Sequence, residues 1–243
     1  MLRFSDSRNF SRTLAAIGLI AGPLLFCIQG LVDPAWADDS AEYLAEVADD
    51  KGRYIAAGVV GTIGSLLFIP GLLGVMRLFR GRSVTLGQIA AGLLTLGVIG
   101  LTASLAFNGF DVILAESADR EAAVAIYDDL EDSGALVAYF VFFFFVGIVL
   151  GSILLAIALF RRRIVPIWSP ILLVVAILFG FFAGEEAITN AISFVLLAAA
   201  LAPLAMLIWG LSDDEWERWE LSLEDAGARE PAAPPPPPPP AQQ

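Results

Sequence analysis

The 49 residues IVPIWSPILLVVAILFGFFAGEEAITNAISFVLLAAALAPLAMLIWGLS, Ile164 to Ser212, contain two charged side chains, Glu185 and Glu186. One helix of that length would reach about 73 Å at 1.5 Å per residue, more than twice the roughly 30 Å of a hydrocarbon core. The run is therefore predicted to fold back at Gly184-Glu185-Glu186, as two helices over 165–183 and 187–209. The two glutamates form the polar tip of that hairpin.

Working outward, four more apolar runs precede it. Each meets the roughly 20 residues a spanning helix needs. The expected fold is an all-α transmembrane bundle of six spans: 14–32, 54–79, 86–107, 135–160, 165–183 and 187–209. Composition agrees: 58% of residues are hydrophobic and the mean hydropathy is +0.77. A soluble domain is usually about 45–50% apolar, even with glycine counted.

Charge gives the orientation. Lys and Arg concentrate on the cytoplasmic side of membrane proteins. Arg3, Arg8 and Arg12 precede the first span; Arg77, Arg80 and Arg82 follow the second; Arg161, Arg162 and Arg163 follow the fourth; Arg218 and Arg229 lie in the tail. Lys51, Arg53 and Arg120 fall on the other side. Both termini are thus expected in the cytoplasm of a bacterial plasma membrane, with Arg77, Arg80, Arg82 and Arg161 to Arg163 as topology anchors. The N-terminal segment is 1–13, and the acidic outer loops are 33–53 and 108–134. A cytoplasmic segment over 211–230 leads to a Pro-rich tail over 231–243. Ala35-Trp36-Ala37 before Asp38 has the pattern of a signal-peptide cleavage site, but the 19 apolar residues ahead of it exceed the usual h-region of about 7–15. The segment is read as a span.

Several chemistries are excluded. A net charge of −12 argues against nucleic acid, which requires a Lys/Arg surface. With one cysteine, Cys27, no internal disulfide forms. With no histidine, Ser-His-Asp triads and His-ligated haem are impossible. No cofactor is expected.

The outer loops share a pattern. Ala41 to Arg53 and Ala122 to Gly134 are acidic segments with helical spacing, and each leads into a span that ends in LFRGR or LFRRR. Ser40 and Ser117 are the expected N-caps. Two related hairpins would explain the likeness. Glycines at Gly18/Gly22, Gly58/Gly61/Gly64 and Gly147/Gly151 recur at spacings that let helix backbones approach. Pro70 is expected to kink the second span. Ser212 and Glu215 have capping-box spacing ahead of Trp216, Trp219 and Leu223.

The polar residues nearest the outer interface are Gln29, Asp33, Asn108, Asp111, Glu185, Glu186, Thr189 and Asn190. Converging, they would form an acidic vestibule that attracts cations, with Asp111, Glu185, Glu186, Asn108 and Asn190 as its candidate ligand-binding residues. Dispersed, they are interfacial residues ending helices. The paired glutamates resemble the start of the signature of intramembrane CAAX proteases. Asn190 stands where that family has arginine, however, and its later histidines are missing.

In layout the chain resembles small six-span membrane proteins of unknown function from high-GC Gram-positive bacteria. The likeness rests on the span order, the acidic outer segments, the Arg-rich inner loops and RRRIVPIWSPILL at Arg161 to Leu173. It implies the fold and no activity. Two functions remain open. The first is a non-enzymatic scaffold, partner or sensor-like subunit, with membrane lipids around it and protein partners at the outer loops or tail. The second is a transporter or channel for a cation, proton or cationic compound that uses the outer carboxylates. A lipid-modifying enzyme with Asp111 and Glu185 as acid and base is a third, weaker reading.

Overall fold

The computed structural model describes residues 7–79, 85–105, 107–182 and 186–217, and the regular structure among them is helical. In chain order the helices are α1 (Ser7–Val32), α2 (Ser40–Asp49), α3 (Lys51–Leu78), α4 (Thr85–Leu105), α5 (Asn108–Ala115), α6 (Arg120–Glu131) and α7 (Gly134–Phe140). A π-helical segment (Val141–Leu150) then leads into α8 (Gly151–Arg162), followed by α9 (Trp168–Phe182), α10 (Ala187–Gly210) and α11 (Asp213–Glu217). Arg80, Arg82 and Glu185 lie outside the described residues, as do Arg3 and the tail beyond Glu217, including Trp219, Leu223 and the proline run.

Among the described residues, five helical stretches are long and apolar enough to cross a membrane: Ser7–Val32, Lys51–Leu78, Thr85–Ala115, Gly134–Arg162 and Ala187–Gly210. The sixth expected crossing corresponds to α9, an apolar helix of 15 residues. At 1.5 Å per residue it measures about 22 Å, short of a full core.

The long rods pack as a closed ring. α1 lies against α3, α3 against α4, and α4 against the π-helical segment and α8. α8 then packs on α9, α9 on α10, and α10 returns to α1. Leu19, Leu72, Leu155, Leu201, Leu204 and Ile208 are almost wholly buried in the shared core. Water does not drive helices together inside lipid, so close backbone approach matters more there. The glycines supply it. Gly18 lies against the Leu67 carbonyl, Gly22 against Phe68, and Gly64 against Leu25. Gly147 meets Gly97, and Gly151 meets Leu94. Gly58 and Gly61 make room for side chains, those of Asn108 and of Leu105 and Gln29. α3 runs unbroken through Pro70.

Over one end of the ring sits a cap of α2, α5 and α6 with its own small core of Leu44, Val47, Val112, Ala115 and Ala123. The N-caps differ from the expected serines. Asp39 accepts from the amides of Ala41 and Glu42, both at 3.0 Å, and Asp119 accepts from Ala122 at 3.1 Å. A carboxylate competes well for these amides because it also opposes the positive end of the helix dipole.

At the opposite end, the start of α1 is joined to α11. Arg8 pairs with Asp214 at 3.5 Å and Glu217 at 3.0 Å, and Arg12 with Asp213 at 3.2 Å. Arg12 also donates to the Leu211 carbonyl. Ser212 and Glu215 form a reciprocal capping box, with bonds of 2.7 and 3.2 Å. Trp216, 5% exposed, donates from its indole N–H to Ser11 at 2.9 Å and lies under the Arg77 guanidinium, 4.9 Å from the ring centre. Exposed ion pairs contribute about 0–1 kcal/mol each. Burial of the indole, with its cation–π partner, is therefore the larger part of this clasp.

Candidate functional site

Asp111 is the buried carboxylate beneath the cap, 8% exposed. The chain makes a turn at Phe107, between α4 and α5, and Asp111 follows within α5. It therefore lies in a short helix that begins at residue 108, where the outer segment was expected to begin. The Tyr54 hydroxyl, from the first turns of α3, donates to Asp111 Oδ2 at 2.6 Å. The Tyr43 hydroxyl, from α2, reaches the same oxygen at 3.4 Å and lies 2.7 Å from the Tyr54 hydroxyl. Oδ1 takes no hydrogen bond among the described residues. Tyr127 of α6 packs on Tyr43, with ring centres 5.4 Å apart. Three tyrosines from three helices thus gather around one carboxyl group.

These residues line a cavity of about 340 Å³, together with Asn108, Ser104 and Phe107. The Asn108 amide stands over Gly58, where a side chain would displace it. Burial pushes the Tyr43 phenol well above its usual range; the bond to Tyr54 opposes this, and the nearby Asp111 adds to it. Tyr43 is therefore a hydroxyl at any physiological pH.

Asp33 flanks the site at the end of α1. Its Oδ1 accepts from the Ala35 amide at 3.1 Å, and its Oδ2 from Gln29 at 3.4 Å. Burial raises this carboxyl above the usual range; the Ala35 and Gln29 bonds and Arg53 act against it, and Asp111 adds a smaller push upward. A carboxyl raised on folding holds its proton more tightly in the native state. Its stabilising contribution is full below the ordinary value near 3.9 and is lost as pH rises through the folded value. Asp33→Asn is thus expected to raise the unfolding temperature relative to the parent at pH 7, with the difference shrinking toward pH 4. Tryptophan-fluorescence melts across that range test this; a deficit that is largest at pH 7 would contradict it.

The sequence-proposed residues separate into two groups. Asp111 and Asn108 share the cavity at the cap. Asn190 and Gln29 line a different one, deeper among the rods. Glu186 is exposed in extended backbone just before α10, with no side-chain cap bond. Thr189 turns its hydroxyl to the Glu186 carbonyl at 2.8 Å. Arg77 is on Trp216, while Arg161 and Arg162 end α8 and Arg163 takes the left-handed position after it, at φ 52°. Tyr43, Tyr54 and Tyr127 were missed as site residues. Their signal was present: Tyr43 and Tyr127 lie on the apolar stripes of the two acidic segments, and Tyr54 in the first turn of α3.

Among the described residues, no group of three or more His, Cys, Asp or Glu side chains is placed to hold a metal ion. The family model that matches the chain, over residues 27–212, is described as a domain of unknown function, DUF4386. No curated protein and no solved structure matches it.

Proposed function

Because the chain belongs to the DUF4386 family, whose function is unknown, its geometry must carry the reading, and we propose a non-enzymatic, sensor-like membrane protein that takes a small organic cation beneath its outer cap. The observation that carries it is the cavity walled by Tyr43, Tyr54, Tyr127 and Asp111. Aromatic faces attract cations through their quadrupole, and a carboxylate adds charge. The surrounding cap is acidic, which raises the local concentration of cations. The three tyrosines reside on separate helices, so an occupant would pull α2, α3 and α6 together. That coupling of occupancy to cap position is what a sensor needs.

In this proposal the chain crosses a bacterial plasma membrane six times, with both termini cytoplasmic. The Arg8, Arg12 and Trp216 contacts support an even count, because they hold the start of α1 beside α11. With five rods of full length, α9 must be the sixth crossing. Its ends would be completed by neighbouring residues or by local thinning of the bilayer. The arginine distribution places this clasped end inside. The transporter reading is less favoured: the cavity between the rods is lined by no charged side chain among the described residues, whereas ion pathways usually carry one.

The test is a thermal-shift titration of the full chain in detergent with alkylamines, choline and spermidine. At least one should stabilise the parent by mass action on the folded state. Asp111→Asn and Tyr127→Leu should each abolish that shift. Shifts of equal size in parent and variants, or none with any cation, would remove the proposal.

A further inference from the structure

The ring of rods encloses a second cavity that the outer site does not use. Its volume is about 300 Å³, at the lower end for ligand pockets. Apolar cavities half that size can admit a benzene-sized molecule. All six rods contribute to its wall. Phe26 of α1 and Phe194 of α10 stack at 5.2 Å on one side. Phe144 and Ile148 of the π-helical segment face them across the ring.

Three features define an occupant. First, no charged side chain lines the cavity among the described residues, so a charged molecule would lose its hydration without compensation. Second, Ser152 on its wall is 0% exposed, and its hydroxyl oxygen has no hydrogen-bond partner. An unpaired buried hydroxyl is costly and uncommon in native structures. A ligand oxygen would satisfy it.

Third, the ring has a seam. α8 packs along α9, but the π-helical segment that precedes α8 makes no comparable backbone contact with α9 among the described residues. Rings bridge the gap: Phe181 of α9 meets Phe145 at 5.3 Å and Phe144 at 6.2 Å. These phenylalanines are partly exposed on the outer surface, where lipid would lie. The seam coincides with the ten-residue π-helix, and such irregular turns concentrate at functional sites. Ring rotation would open it sideways without disturbing a helix.

We propose that this cavity binds a neutral, bilayer-soluble molecule bearing one hydroxyl or carbonyl group, which enters from the membrane between the π-helical segment and α9. The oxygen pairs with Ser152 and the hydrocarbon fills the phenylalanine-lined space. Such an occupant would sit in the middle of the ring, beneath the cap and independent of the outer site.

The test uses the full chain in lipid nanodiscs with a ten-carbon alkanol carrying a diazirine. After irradiation, adducts are mapped by mass spectrometry. They are expected on Ile148, Leu173, Phe194 and Leu197, and are competed by unlabelled decanol. Ala176→Leu, which fills the cavity, should reduce them to the level seen on outward-facing Ile171 and Val175. Ser152→Ala removes only the unpaired hydroxyl and should fold at least as well as the parent. It should weaken competition by decanol about fivefold, the value of one hydrogen bond, and leave competition by decane unchanged. Adducts spread evenly over Ile171, Val175 and the cavity would overturn the proposal. So would a Ser152→Ala protein in which decanol competes as well as before, and this second comparison decides the matter if Ala176→Leu does not fold.

Discussion

Gly18→Ala should lower the unfolding temperature of the detergent-solubilised protein sharply, by about 3 kcal/mol of stability, or prevent folding altogether. The added methyl would collide with the Leu67 carbonyl of α3, which is backbone and cannot swing aside. On the facing helix, a methyl at Gly71 would come within 2.8 Å of the Leu19 amide nitrogen, so the approach is mutual. Separating α1 from α3 would loosen van der Waals contact along the whole pair, the principal attraction between helices in lipid. Gly52→Ala is the control. It lies in the first turn of α3 with nothing within 4 Å of the added carbon. Alanine favours a helix over glycine by roughly 0.5–1 kcal/mol, so this variant should melt at or slightly above the parent temperature. Equal melting shifts in the two variants would show that the α1–α3 contact is looser than described.

Tyr54→Phe should detach the cap while sparing the ring. The substitution keeps the ring volume and removes the hydroxyl that donates to Asp111 at 2.6 Å. Asp111 would retain the Tyr43 hydroxyl at 3.4 Å, beyond the usual range for a strong O–H···O bond. Leaving a buried acceptor underpaired costs about 1–3 kcal/mol. The loss should be local, because Tyr54 belongs to the small core under the cap and not to the main one. Hydrogen exchange is expected to quicken in Ser40–Asp49 and Arg120–Glu131 and to stay unchanged in Ala187–Gly210. Uniform acceleration, or none, would refute this division of the molecule.

The all-helical class and the membrane-length apolar helices were readable because hydropathy is additive along the chain. The role of α9 was less so, since length alone decides and the helix has 15 residues. The π-helical segment left no mark, because VFFFFVGIVL is apolar in any helix and only the hydrogen-bond step differs. The Tyr54–Asp111 pair spans 57 positions, and its partners come together only once α3 and α5 are packed. Polar residues of similar depth were grouped as one vestibule. Depth is a single coordinate, however, and the rods distribute Asp111 and Asn190 to different cavities. The N-caps shifted to Asp39 and Asp119 because cap position depends on where the backbone leaves extended geometry, which residue preference alone does not resolve.

The ring has one joint that joins distant parts of the chain. Every other junction unites rods that follow one another in sequence, but α1 closes on α10. At about 5–20 residues per second, the ribosome delivers α10 roughly ten seconds or more after α1. Throughout that interval the nascent bundle is an open arc, with the flank of α1 that carries Phe26 and Gly30 lacking its α10 neighbour. Closure and the Trp216 clasp come together, once α10 and α11 have both emerged. A chain terminated before α10 would stay in that arc, and it would present the cell's membrane quality control with an unpartnered first helix rather than with a shortened but finished protein.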